Sequence, residues 1–253
     1  RKLPIFLSGY FIKQELIKIE EFIGHRFDII WNFDSSRFFN LAYLRNKLRI
    51  AHIVDWTENF NRKLLCTTAD LCLCTSEFLR EDMRSYNPRT FNIGHGYRDP
   101  GNPTDGSIKT KIIENYSIKA GYMGNLSLKY IDWDNIFRII IKNPEIGFYF
   151  IGPEGSSNLS KNQSRDEFYA KIKKLKNTHF LGEIHGCEIS AYLELFDILL
   201  LVYKADKYKE QLANPHKILE YLGSGNVTLA SWTDEYKNNR ELIEMVSNQN
   251  EML

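Results

Sequence analysis

Lys217 and Glu220 lie one helical turn apart in Asn214-Pro215-His216-Lys217-Ile218-Leu219-Glu220-Tyr221-Leu222-Gly223-Ser224-Gly225, and their types could hold an anion and a diol. Asn214 is a favoured N-cap and Pro215 a favoured first helical residue, so the spacing predicts a helix over 215–223. Free N–H groups and the positive end of the dipole at its start would favour a phosphate, and Lys217 would reinforce them. A carboxylate at Glu220 can accept two hydrogen bonds from neighbouring hydroxyls. On the helical wheel Lys217, Glu220, Tyr221 and Ser224 share a polar face, and Ile218, Leu219, Leu222 and Gly223 an apolar one. The same residues also fit a surface helix with a Lys–Glu pair.

Three further junctions repeat one form, an apolar run ending in glycine. They are Tyr122-Met123-Gly124-Asn125, Tyr149-Phe150-Ile151-Gly152-Pro153 and Phe180-Leu181-Gly182-Glu183. Glycine at the carboxyl end of a strand lets backbone N–H groups come close to a diphosphate, although Gly-Asn is also an ordinary turn. Asp132-Trp133-Asp134 has the D-x-D form of a metal–nucleotide motif, but it opens an amphipathic stretch, where capping by Asp132 is the expected role. Asp55 follows a predicted strand, as a group facing a cleft or as a cap. His95 stands between Gly94 and Gly96, as a hinge residue or a catalytic one.

Other chemistries are excluded by what the motifs lack. The six histidines show no zinc-ligand spacing, and neither a nucleophile elbow nor a phosphate-binding P-loop occurs. No bound metal and no cofactor are therefore expected. A net charge of +1 gives no footprint for nucleic acid. Cys66, Cys72, Cys74 and Cys187 have no C-x-x-C spacing; Cys72 and Cys74 alternate on a predicted strand as small core residues, which favours a reducing compartment such as the cytoplasm. No apolar run is long enough to span a membrane, while Arg45, Lys47 and Arg49 form a basic cluster that could meet anionic lipid at a membrane face.

Short apolar runs alternate with amphipathic stretches, the pattern of βαβ units on parallel sheets. Strands are predicted over 27–33, 49–54, 70–75 and 90–93, and again over 118–123, 147–151, 178–181, 197–203 and 227–230. Helices are predicted over 11–22, 38–47, 59–67, 77–86, 132–142, 165–175, 188–195, 215–223 and 238–246. A Gly- and Pro-rich break separates the halves. The expected architecture is α/β with two Rossmann-like domains: an amino-terminal one over 1–96, expected to be incomplete, a linker over 97–117 and a second domain over 118–253.

With these pieces in place the chain resembles a GT-B glycosyltransferase of the group-1, family-4-like type. The resemblance rests on Phe27-Asp28-Ile29-Ile30-Trp31, Ala69-Asp70-Leu71-Cys72-Leu73-Cys74-Thr75-Ser76, Asn92-Ile93-Gly94-His95-Gly96, the glycine junctions, Tyr192-Leu193-Glu194-Leu195-Phe196-Asp197 and the Pro-x-Lys-x-x-Glu-Tyr of Pro215 to Tyr221. It implies transfer of a sugar from a nucleoside diphosphate to a glycan or lipid-linked acceptor, with acceptor contacts in the first domain. The donor site is then expected at Gly124, Asn125, Gly152, Glu183, Tyr203, Asn214, His216, Lys217 and Glu220, with residues 181–184 beside the base and His95 and Asp55 as catalytic candidates. Two departures stand out. Leu212 occupies a position where many members carry a second glutamate, and Leu126 to Lys129 replace their cationic loop, with Lys129 the one stand-in. A nucleotide-sugar 2-epimerase and a non-catalytic nucleotide-sugar-binding subunit fit the same architecture.

Overall fold

The computed structural model describes residues 5–56, 61–97, 115–154 and 167–247. They form two compact units, Arg1–His95 and Gly96–Leu253. The predicted linker lies mostly outside the described residues. Each unit is built on a wholly parallel sheet flanked by helices, the α/β arrangement that the alternating pattern predicts.

The first unit holds β1 (Ile29–Asn32), β2 (Leu48–Ile53), β3 (Leu71–Cys74) and β4 (Thr90–Asn92) in the spatial order β1-β2-β3-β4. Helix α1 (Ile5–Ile23) precedes them, α2 (Arg62–Thr68) joins β2 to β3, and α3 (Glu77–Arg84) joins β3 to β4. Right-handed crossovers that all advance in one direction bring their helices to one sheet face. That face is the core, where Ala51, Ile53, Cys72 and Cys74 pack with Leu65, Cys66, Leu79 and Met83. Cys72 and Cys74 are fully buried, as their alternation predicts. Ser76 caps α3 by accepting from Leu79 N–H. On the other face Ile29, Trp31 and Phe91 remain exposed.

The second unit holds β5 (Ile118–Met123), β6 (Ile146–Ile151), β7 (Thr178–Gly182), β8 (Ile198–Leu201), β9 (Val227–Ser231) and β10 (Glu244–Val246). Their spatial order is β10-β9-β8-β5-β6-β7. The chain winds outward from β5 to β7, returns, and winds the other way from β8 to β10. Strand order therefore reverses between β5 and β8, and in such sheets ligands bind at the carboxyl ends of the strands beside that reversal. Helices α4 (Trp133–Lys142), α5 (Glu167–Ile172), α6 (Ile189–Leu193) and α7 (Lys217–Gly223) cover the sheet. The core is aromatic, with Tyr122, Phe148, Tyr149, Phe150, Phe196 and Tyr221 buried together. Asp132 caps α4 by accepting from Asn135 N–H, so its aspartate pair opens a helix as the placement predicts.

Several sequence-based expectations are corrected. In place of a helix over 38–47 there is only a 3-10 turn, Ala42–Leu44. Side chains capture that backbone: Asn32 donates to Phe38 O, Asn40 accepts from Ala42 N–H, and Thr68 accepts from Leu41 N–H. The predicted helix over 238–246 is instead turns followed by β10, because the edge of β9 takes up Glu244–Val246 in a parallel ladder. The basic cluster is largely internal. Lys47 pairs with Glu20 and donates to Phe27 O, and Arg49 forms a bidentate pair with Asp70, which leaves Arg45 as its exposed cation. Among the described residues no helix is long and apolar enough to cross a membrane.

Candidate functional site

Because the second sheet is parallel, the residues that follow β5, β6, β7 and β8 gather at one edge. They are Gly124, Gly152, Glu183 directly after Gly182 at the end of β7, and Tyr203. Gly124 and Gly152 have φ of +142° and +136°, a region that side-chain-bearing residues avoid. They also pack as only glycine can: a Cβ on Gly152 would stand 2.0 Å from Gly124 O, and one on Gly124 would stand 2.0 Å from Lys217 Nζ. The glycine row thus leads directly to Lys217.

Lys217 opens α7, in the connection between β8 and β9, and its amine lies on the reversal point of the sheet. Nζ donates to Tyr122 Oη and Tyr203 Oη at 3.0 Å each, and lies over both rings at 4.7 and 5.7 Å. Tyr221, one turn along α7, accepts from Met123 N–H at 2.9 Å and so fixes the strand end that leads into Gly124. Burial pulls the Lys217 ammonium down to about 8, and the Glu220 carboxylate offsets part of that fall. Burial raises Tyr122, Tyr203 and Tyr221, which remain neutral hydroxyls. His216 lies 3.7 Å from Glu220, whose side chain is 36% exposed, and its Nε2 is 3.3 Å from Gly96 O.

The lowered Lys217 value has a stability consequence. Below about pH 8 both folded and unfolded chains carry the proton, and the folded state bears the whole cost of the buried charge. Between that value and the usual 10.5, the unfolded chain keeps a proton that the folded chain has lost, so stability rises with pH. Urea unfolding of wild type and Lys217→Met in parallel is expected to show wild type gaining about 3 kcal/mol on the variant from neutral pH to about 10.5. A constant difference would contradict it.

The local chemistry differs from the sequence-based reading in three ways. Helix α7 is only seven residues long and begins at Lys217; Asn214 is not its cap, and His216, at the cap position, makes no capping hydrogen bond. The N–H groups of Ile218 and Leu219 donate to Pro215 O and His216 O, so the first turn does not offer them to a phosphate. Gly124 and Gly152 N–H likewise donate to Ile151 O and Gly182 O, which keeps them in the sheet ladder. Tyr221 belongs to the core rather than the polar face. The Asn125 side chain accepts from Ser127 N–H and shapes its own loop. Glu183 is exposed at the end of β7, and Lys129 stands over the Tyr208 ring.

Asp55 and His95 belong to the first unit. Asp55 is exposed beyond β2, and His95 is half-buried beyond β4. His95 acts on His52, whose pKa is lowered first by burial and then by the His95 charge; the His52 ring packs 4.8 Å from Phe33. Tyr122 is a site residue that sequence reasoning missed: in sequence it reads as one more apolar strand position, and only the fold shows where its hydroxyl arrives. Tyr221, placed by its sequence on the polar face, instead sends its hydroxyl through the core to Met123.

A search of known structures finds similar folds. A glycosyltransferase from Rickettsia africae superposes with a TM-score of 0.66 at 12% identity, covering 98% of this chain and 70% of that one. HepE from Anabaena in complex with UDP-glucose gives a TM-score of 0.60 at 13% identity, covering 83% of this chain and 62% of that one. The chain has the GT-B glycosyltransferase fold. Within the GT-B fold the reversal point of the second sheet carries Gly124 and Lys217. TuaH of Bacillus subtilis, whose assignment as a teichuronic acid biosynthesis glycosyltransferase is itself provisional, is 27% identical over 108 residues. The match covers 43% of this chain and 25% of TuaH, so the chain spans a quarter of that relative and about three fifths of HepE. No protein-family model matches the chain.

Proposed function

We propose that this chain binds a nucleoside diphosphate sugar and transfers the sugar to the hydroxyl of a glycan or lipid-linked acceptor, with no metal ion taking part. The observation that carries the reading is a part-buried cation, Lys217, set against a glycine junction at the reversal point of a parallel sheet. In the reaction the bond from the sugar's anomeric carbon to the β-phosphate oxygen breaks and the diphosphate leaves with the electron pair. The acceptor oxygen bonds to the anomeric carbon, and a base removes its proton. Charge grows on the diphosphate as that bond breaks, so a fixed ammonium stabilises the transition state more than the ground state. Glu220 is proposed to bind the ribose hydroxyls, and Gly152, Glu183 and Asn125 to line the nucleotide. Asp55 and His95 are the proposed bases. UDP-glucose bound to HepE supports the donor class, and a deprotonated imidazole or carboxylate suits proton removal near neutral pH.

The test is a thermal-shift screen of UDP, GDP, ADP and CMP followed by a product assay with the matching sugar. One diphosphate is expected to raise Tm, and Glu220→Ala to weaken it without unfolding the protein. Failure of every nucleotide to bind would reject the proposal. Leu212, buried in the 3-10 turn Lys209–Leu212, supports a second reading in which the nucleotide sugar is held without turnover. Nucleotide binding with no product from any acceptor would favour it.

A further inference from the structure

An ammonium has three N–H donors and needs three acceptors when buried. Tyr122 Oη and Tyr203 Oη take two of those on Lys217, and among the described residues no third acceptor reaches the nitrogen. Both hydroxyls are neutral, so they orient the cation without countering its charge. Both are also firmly placed. Tyr122 lies in β5 in register with Phe150 of β6, and Ser231 of β9 bonds both the N–H and the C=O of Tyr203 at 2.9 Å. The groups facing the amine are Tyr122 from β5, Tyr203 beyond β8 with the Tyr130 ring packed against it, and Glu220 and Tyr221 from α7. Glu220 is the one formal anion of this set.

We propose that Tyr122 and Tyr203 are positioning residues that hold the Lys217 ammonium beside the Gly124 loop with one N–H left for an oxygen of a nucleoside diphosphate. The ligand then supplies the third acceptor and adds to the countercharge of Glu220, and its binding in alkaline solution takes up a proton. This inference rests on the nucleotide-sugar reading of the site. The lowered value of Lys217 agrees with it, since an empty site is half discharged near pH 8. Replacing either hydroxyl by hydrogen removes an acceptor that bonds the ammonium more strongly than the neutral amine, so the pH at which diphosphate affinity is lost must fall.

The test is calorimetric binding of UDP and of uridine to the full chain from about pH 7 to 9.5, for wild type, Tyr122→Phe, Tyr203→Phe and the double variant. Wild-type affinity for UDP is expected to decline above about pH 8 with proton uptake, and the decline to begin at least about half a pH unit lower in each variant. At neutral pH the double variant is expected to lose about tenfold for UDP and little for uridine. An unchanged midpoint, or equal losses for UDP and uridine, overturns the proposal. If the double variant does not fold, either single variant carries the same pH readout. Equal UDP binding by wild type and Lys217→Met, or none by wild type, would instead overturn the nucleotide reading itself.

Discussion

Lys217→Met is expected to weaken UDP binding by about 100-fold at neutral pH while leaving the empty protein at least as stable as wild type. Methionine is unbranched, of similar reach and free of a charge to desolvate, so it can lie between the Tyr122 and Tyr203 rings that now flank the amine. The lost contact is charge-assisted and partly shielded from water, where such bonds contribute about 2–3 kcal/mol each. Calorimetry gives the affinity and urea unfolding the stability. A variant that loses stability and affinity together would reduce Lys217 to a packing residue. Retained affinity with raised stability would place the diphosphate elsewhere.

Gly152→Ala is expected to destabilise the second unit by about 3 kcal/mol and to disrupt the nucleotide site as well. Its Cβ would meet Gly124 O at 2.0 Å and Gly124 C at 2.7 Å, atoms of a neighbouring backbone that cannot turn aside as a side chain could. Its φ of +136° adds conformational strain. Because Gly124 in turn abuts Lys217 Nζ, any shift of the loop moves the cation. Gly182→Ala is the internal control: its φ is +76°, but a Cβ there meets nothing within 4 Å, so about 1 kcal/mol is expected. Urea unfolding of both variants measures the contrast. Equal losses would show that strain alone, and not the glycine-on-glycine contact, sets the cost.

How far the sequence was legible varies by element. Strands such as Ile146–Ile151 and Ile198–Leu201 are runs of apolar residues, and they form where they are predicted. Asp132 and Ser76 cap helices through bonds reaching three residues along the chain, which a sequence can display. The misread segments are those in which distant groups decided. Residues 38–47 lose their helix because Asn32, six residues before Phe38, and Thr68, 27 residues after Leu41, bond their backbone first. Glu244–Val246 has helical spacing but finds an open strand edge beside it.

The sequence by itself determined that the chain alternates strand and helix, that glycines end the strands beside the site, and that Lys217 and Glu220 share a helix. Those properties depend on local propensity and on neighbours within a few residues. Only the tertiary structure decided what Lys217 is. It is a part-buried cation held by hydroxyls from positions 122 and 203, against a glycine at position 124 whose φ of +142° side-chain-bearing residues avoid. The physical reason is that burial and the direction of a hydroxyl are set by where separate strands come together. Strand order reverses between β5 and β8, and that long-range pairing brings the cation and its partners to one place.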